Sequence, residues 1–120
     1  MRERKATGYY GEDIARKVLE KKGYRLVDKN FTVRGGEIDL IMAKGEELVF
    51  VEVKTRRNDH FGTPAEAITV QKQKHMLHAA KMFLVGRDPS RYDIRFFAVA
   101  VYLRNDDRVE KVEIYEDIFL

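Results

Sequence analysis

Residues 36–54 read GEIDLIMAKGEELVFVEVK, two apolar runs separated by Gly45-Glu46. Runs rich in Val, Ile and Phe and bounded by glycine read as strands, and glycine at the first central position of a two-residue loop fits a type II′ hairpin turn. With the loop at 45 and 46, Lys44 faces Glu47, Ala43 faces Leu48, Ile41 faces Phe50, Asp39 faces Glu52 and Glu37 faces Lys54. Opposed residues share a face of the sheet, and period-two alternation keeps these pairs together. The other face carries Ile38, Leu40, Met42, Val49, Val51 and Val53, and reads as core. One face is therefore apolar near the turn and charged at its far end.

Two carboxylates directly opposite one another repel, and uncompensated, one of them would tend to hold a proton near neutral pH. A divalent cation removes the conflict. Oxygen donors from two carboxylates, a backbone carbonyl and water suit Mg²⁺, which favours sites shared with phosphates. Lys54, two residues beyond Glu52 on the same face, is placed to orient a water or to stabilise charge on a reacting phosphate. Acid, acid and lysine at one strand end form a layout for phosphodiester hydrolysis. The competing reading is an exposed hairpin end with Glu37 and Lys54 as an ordinary cross-strand ion pair. Against it, residues 49–53 are too apolar for an exposed strand, and the acids interrupt a face that Ile41 and Phe50 would otherwise continue as core.

Working outward, the pattern predicts a first helix over 7–22, with Thr7 as N-cap, Ile14, Ala15, Val18 and Leu19 at helical spacing, and Gly23 as the stop. Glu12 lies at the rim of its buried stripe, where it can lean toward Asp39 and Glu52 or simply favour the helix dipole. Residues 24–31 read as a strand and 55–62 as a polar loop. Thr63, Pro64 and Glu66 form a helix-start signature. Helical pattern then continues, with a possible break near Thr69, through Met76, Leu77, Ala80, Phe83 and Leu84 to Gly86. Residues 93–102 are apolar on both alternating sides, as in an interior strand. Asn105-Asp106-Asp107 turns the chain into a charged edge strand over 109–115. The order is αβββαββ, an α/β fold on a mixed sheet. No repeat or linker divides residues 1–120, so a single domain is expected.

Composition sets the frame. Of 120 residues, 44% are hydrophobic and 36% charged, and there is no cysteine, which removes disulfides and thiolate chemistry. No apolar run reaches membrane-span length, and the start Met-Arg-Glu-Arg-Lys lacks a leader's apolar segment, so a soluble cytoplasmic protein is expected. The net charge of +3 permits a polyanionic partner without demanding one. Arg56, Arg57 and His60 follow the hairpin, and Lys72, Lys74, His75, His78 and Lys81 populate the second helix. Phosphate contacts need such a surface, although a solvated helix face explains Lys74 and Lys81 as well. Arg2, Arg4 and Lys5 form either a mobile basic arm or a frayed terminus. His75 and His78 have no local third ligand for zinc. Core or loop packing is the expected role of Phe61, Tyr9 and Tyr10, base stacking the alternative. Asp93 reads as a capping or pairing residue. P-loop, nucleophile-elbow and dinucleotide fingerprints are absent.

Gly8-x-x-Gly11-Glu12-x-x-Ala15, Gly36-Glu37-Ile38-Asp39-Leu40-Ile41 and Phe50-Val51-Glu52-Val53-Lys54-x-Arg56 together resemble the YraN family of small bacterial proteins. Phe61-Gly62-x-Pro64, Lys72, Ala79-Ala80 and Arg91-x-Asp93 continue the likeness along nearly the whole chain. That family is placed in the PD-(D/E)xK nuclease superfamily and is similar in layout to archaeal Holliday-junction resolvases. The resemblance implies a restriction-endonuclease-like mixed sheet flanked by helices. It makes Asp39 and Glu52 metal ligands, Lys54 the catalytic lysine, Glu12 a helix-borne acid, and Lys72 a helical polar residue at the site. Ile38-Asp39 stands where the superfamily has Pro-Asp, which leaves the aspartate intact.

The expectation is thus an endonuclease dependent on Mg²⁺ or Mn²⁺. Asp39, Glu52 and the Val53 carbonyl would hold the metal, and Arg56, Arg57, Lys72 and Lys74 would contact nucleic acid, DNA rather than RNA. The alternative is a non-catalytic nucleic-acid- or partner-binding module that keeps the fold. Resolvase-like enzymes act as dimers, since a junction presents two symmetric cuts. The apolar residues 115–120 are candidates for a homodimer surface or for docking within the chain.

Overall fold

The computed structural model describes residues 2–57 and 68–119. His60, Phe61 and the helix-start signature at Thr63, Pro64 and Glu66 lie outside the described residues. The elements are α1 (Arg2–Lys21), β1 (Arg25–Val33), β2 (Gly36–Lys44), β3 (Glu47–Arg56), α2 (Val70–Phe83), a 3₁₀ turn (Pro89–Arg91), β4 (Asp93–Leu103) and β5 (Val109–Tyr115). They build one mixed, open five-stranded sheet whose spatial order follows the chain. β3 and β4 run parallel, and the other neighbours run antiparallel.

The central hairpin has the register read from its sequence, with Lys44↔Glu47, Ala43↔Leu48 and Ile41↔Phe50 as partners. Of the two turn residues only Gly45 has positive φ, 59°, as a type II′ turn requires.

α1 begins at Arg2, so Thr7 is an interior helical residue and not the N-cap. Residues 2–6 are Arg, Glu, Arg, Lys and Ala, all good helix formers, and nothing among them stops the helix from extending back. The basic residues at 2, 4 and 5 therefore sit on helical backbone and not on an arm. The helix ends as expected at Gly23 (φ 99°). Gly23 N–H donates to Glu20 O and Tyr24 N–H to Leu19 O, at 3.0 and 3.1 Å, the two bonds of a Schellman motif. The break near Thr69 is a true cap: its side chain accepts from Lys72 N–H at 3.1 Å and α2 follows.

α1 covers one face of the sheet, packing Ala15 and Leu19 on Leu40, Met42, Val49, Val51 and Phe97. α2 covers the other through Met76, Ala79, Ala80 and Phe83, set on Ile41, Ala43, Leu48 and Phe50. The C-terminal segment docks on this second face. Phe119 lies 4.5 Å from Phe96 between ring centroids, and Ile118 N–H donates to Phe96 O at 3.0 Å. Arg95, which also pairs with Glu47 of β3 at 2.6 Å, secures the same segment through Glu116 and Asp117 at 2.7 and 2.8 Å. Docking within the chain is thus what residues 115–119 do. Among the described residues, no helix is long and apolar enough to cross a membrane.

Both helices meet the sheet at glycines. A Cβ on Gly11 would lie 1.8 Å from Thr55 Oγ1, and one on Gly36 would lie 2.4 Å from the His75 carbonyl oxygen. Neither position has positive φ, so close packing accounts for these two glycines. Gly36→Ala is expected to destabilise the fold by about 1–3 kcal/mol through overpacking. Gly8→Ala, where a Cβ meets nothing within 4 Å, is expected to stabilise by about 0.5–1 kcal/mol. Urea unfolding of both variants checks this, and a Gly36→Ala protein as stable as the parent would mean that α2 does not rest tightly on β2.

Candidate active site

The β2–β3 ladder runs from Lys44↔Glu47 to Leu40↔Val51 and stops there. β2 continues along β1 as far as Val33↔Gly36, and β3 continues along β4 as far as Arg56↔Tyr102. The sheet therefore splits between β2 and β3. A continued register would set Asp39 against Glu52 and aim Val53 N–H at the Ile38 carbonyl. Instead the Asp39 side chain takes that donor, with Oδ2 accepting from Val53 N–H at 2.8 Å. The expected ladder pairs Asp39/Glu52 and Glu37/Lys54 are not formed. Two carboxylates in one pair would repel, whereas a carboxyl oxygen on Val53 N–H satisfies that backbone donor whether or not Asp39 holds a proton.

Side-chain alternation breaks at the same place. Ile38 joins the core under α2, while Leu40 and Met42 belong to the core under α1, so the expected common face of Ile38, Leu40 and Met42 does not hold. On β1, between the pairs Lys29↔Leu40 and Phe31↔Ile38, stands Asn30 with φ 50°. Asparagine tolerates this left-handed conformation, and the irregularity spans both strands.

Asp39 and Glu52 are buried, at 7% and 3% exposure. Burial, with the Glu52 charge adding to it, pushes the Asp39 carboxyl up to about 8 against the pull of Val53 N–H. Glu52 Oε1 receives two ammonium groups, Lys72 Nζ at 2.8 Å and Lys54 Nζ at 3.3 Å. Burial and the adjacent Lys72 pull Lys54 below the ordinary lysine range, with Glu52 opposing. Burial also pulls on Lys72, but Glu52 outweighs it and holds that ammonium above its ordinary range. Ala98 and Ala100 stand beside Glu52 and Lys54 in the β3–β4 register. Their short side chains leave room for the carboxylate and ammonium stems. In the sequence they read only as apolar positions.

Glu12 reaches the site's surroundings from α1. Its Oε1 accepts from Asn30 Nδ2 at 2.7 Å. Burial raises its carboxyl, Asn30 opposes this, and the charges of Glu37 and Glu52 add to it. Glu12 thus lies in the field of the site while tied to β1. In the sequence Asn30 is marked only by the polar run Asp28-Lys29-Asn30 inside a strand.

The basic candidates divide. Lys72 is in the site, and Lys74 is exposed on α2. Arg56 donates to the Thr55 carbonyl at 3.2 Å. Arg57 pairs with Asp107 and reaches Thr7 Oγ1 at 3.3 Å. Arg56 and Arg57 border a groove of about 1260 Å³, lined by Thr7, Gly8 and Tyr10 of α1, residues 53–57 at and just past the end of β3, and Asn105 and Asp107 of the β4–β5 turn. Tyr9 and Tyr10 are exposed, at 57% and 43%, so neither is a core residue. Tyr10 Oη donates to the Asp107 carbonyl at 3.1 Å. His78 lies 3.0 Å from the Arg34 carbonyl through Nε2.

Among the described residues, no three His, Asp or Glu side chains gather closely enough to hold a metal ion by themselves. Two buried carboxylates with oxygen donors only, one burdened by the charge of the other, still match the chemistry of a hard dication. Mg²⁺ takes few protein ligands and completes its shell with water and phosphate.

The Asp39 shift carries a pH signature. Its folded value lies above 3.8, the ordinary value. Between that pH and about 8 the folded state binds more protons than the unfolded one, and stability falls as pH rises through the window. Asp39→Asn removes this term and keeps an acceptor for Val53 N–H. In EDTA the variant should gain on the parent as pH rises, reaching about 1–3 kcal/mol by the top of the window. Thermal unfolding across the range checks it; a gap that stays constant with pH rejects the assignment.

Residues 11–101 match the model of the family described as Uncharacterised protein family UPF0102. A UPF0102 protein of Clostridium perfringens (strain SM101 / Type A) is 40% identical over 115 residues, covering 96% of this chain and 94% of its own. One from Caldanaerobacter subterraneus is 41% identical over 110 residues, 91% of this chain and 90% of its own. Another, from Chloroherpeton thalassium, is 43% identical over 114 residues, 95% and 88% respectively. With the family model spanning most of its length and relatives matched nearly end to end, the chain belongs to the UPF0102 family.

Proposed function

We propose that the protein is a metal-dependent endonuclease of the PD-(D/E)xK type, with a restriction-endonuclease-like fold, that hydrolyses DNA at branched or structured sites in the cytoplasm. The YraN likeness of its motifs supports the superfamily placement. The observation that carries the reading is the burial of Asp39 and Glu52 at the split in the sheet, with Lys54 on Glu52 at 3.3 Å.

In this reading Asp39, Glu52 and the Val53 carbonyl hold Mg²⁺ or Mn²⁺. When bound, the metal supplies an acidified water and neutralises charge on the phosphate. Lys54, its proton affinity lowered by burial and by Lys72, orients the attacking water. Lys72 balances and positions Glu52. Glu12 adds a further acid from α1, and Arg56, Arg57 and Lys74 contact phosphates. A symmetric junction would engage two copies of the chain.

A cleavage assay on branched, flapped and linear DNA with Mn²⁺ tests the reading. Lys54→Ala should reduce the rate by about 10²–10³-fold, and the double variant Asp39→Asn, Glu52→Gln should abolish it. Cleavage that survives the double substitution rejects the proposal.

A second reading, a binding module without turnover, draws on the two ammonium groups that already neutralise Glu52. It predicts DNA binding that depends steeply on salt yet ignores metal and Lys54→Ala. Calorimetric titration of Mg²⁺ into the parent and Asp39→Asn separates the two: metal uptake lost in the variant supports the nuclease.

A further inference from the structure

The groove beside the site has a polarity conflict that its shape does not require. Its cationic lining, Lys54, Arg56 and Arg57, comes from the end of β3 and the residue that follows it, and the acid among its described lining residues is Asp107. That acid is paired with Arg57. Arg57 also reaches Thr7 on α1, and Tyr10 donates to the backbone carbonyl of Asp107. The contacts of Asp107 thus link the β4–β5 turn to both other walls of the groove. Lys54 lines the groove at one end and touches Glu52, so the groove leads into the candidate active site.

Asp107 occupies a position that suits a movable group. It lies in the exposed turn between β4 and β5 with φ 69°. The turn is closed by Asp107 N–H on Arg104 O at 3.0 Å and Arg104 N–H on Arg108 O at 2.7 Å. The neighbouring Asp106 pairs with Arg108 at 3.4 Å and is not among the groove's lining residues. Guanidinium recognises a carboxylate and a phosphate by the same planar, charge-assisted hydrogen bonds. A carboxylate on the arginine of a cationic groove therefore stands where a phosphate could stand.

Resting on the DNA reading of the site, we propose that this groove seats a DNA strand and that Asp107 is a built-in phosphate mimic. It holds Arg57 in the free protein and yields it to a backbone phosphate of the incoming strand. The exchange trades one anion for another on the same guanidinium, so Arg57 is never left unpaired, while the Tyr10 bond to the Asp107 carbonyl keeps the turn on α1. Exposed Tyr10 then offers a ring face to an unstacked base at the groove wall.

Fluorescence anisotropy with a labelled oligothymidylate, in EDTA and at low salt, tests this without any cleavage step. Asp107→Asn, which suits the positive φ, should tighten binding by roughly 3- to 10-fold, and Arg57→Gln should weaken it by a similar factor. Combined with Arg57→Gln, Asp107→Asn should give no tightening. Asp106→Asn removes the same charge one residue away and should change affinity less than about 2-fold. Equal tightening by Asp106→Asn, or undiminished tightening by Asp107→Asn without Arg57, would reduce the effect to net charge and overturn the proposal. Absence of strand binding by all variants overturns it too. Failure of the nuclease reading shows separately, as binding that obeys this pattern with no metal-dependent cleavage.

Discussion

The bond from Val53 N–H to the Asp39 carboxylate is the contact on which the site depends. An interior strand with an unmade ladder bond is costly, because a buried backbone donor without a partner forfeits its desolvation energy. Asp39 supplies that partner from its side chain. β2 and β3 can then separate without leaving Val53 N–H orphaned. One acid thus serves two ends at once: it terminates the hairpin ladder, and it is itself held buried at the split.

Charge at the split is balanced by arrangement more than by number. Glu52 sits under two ammonium groups, while Asp39 has one backbone donor and a neighbouring negative charge. The two buried acids are therefore unequal, Glu52 already compensated and Asp39 not. Of the two, Asp39 is the acid whose proton affinity is raised. The surroundings are built for this inequality. Ala98 and Ala100 give the polar stems space, and the capped first turn of α2 delivers Lys72.

Much of this was legible in the sequence, and the exceptions share a cause. Register, turn type and the apolar face of β3 follow from alternation, which is local and strong. The hairpin reading failed beyond Leu40 and Val51 because a side chain competed with the backbone for a donor, which pairing arithmetic ignores. It failed again at Ile38, where Asn30 lets the neighbouring strand depart from regular geometry. Thr7 resembled a cap only because threonine favours that position; the good helix formers before it extend α1 past it. Asp39, Glu52 and Lys54 stood out as charges in an apolar stretch. Lys72 entered through the family likeness, and its contact with Glu52 is a tertiary fact that no spacing encodes.

The parallel pairing of β3 with β4 has a kinetic consequence. β1, β2 and β3 form a meander joined by tight turns, and such neighbours can zip together from their turns at little loop-closure entropy. The ladder from Glu47↔Asp93 to Arg56↔Tyr102 instead joins segments that meet only across a long stretch of chain containing α2. Its closure is the non-local event in building the sheet. The strand carrying Asp39 is therefore specified by near neighbours. The one carrying Glu52 and Lys54 is completed by a distant partner, so β3 is where the local meander meets the non-local ladder.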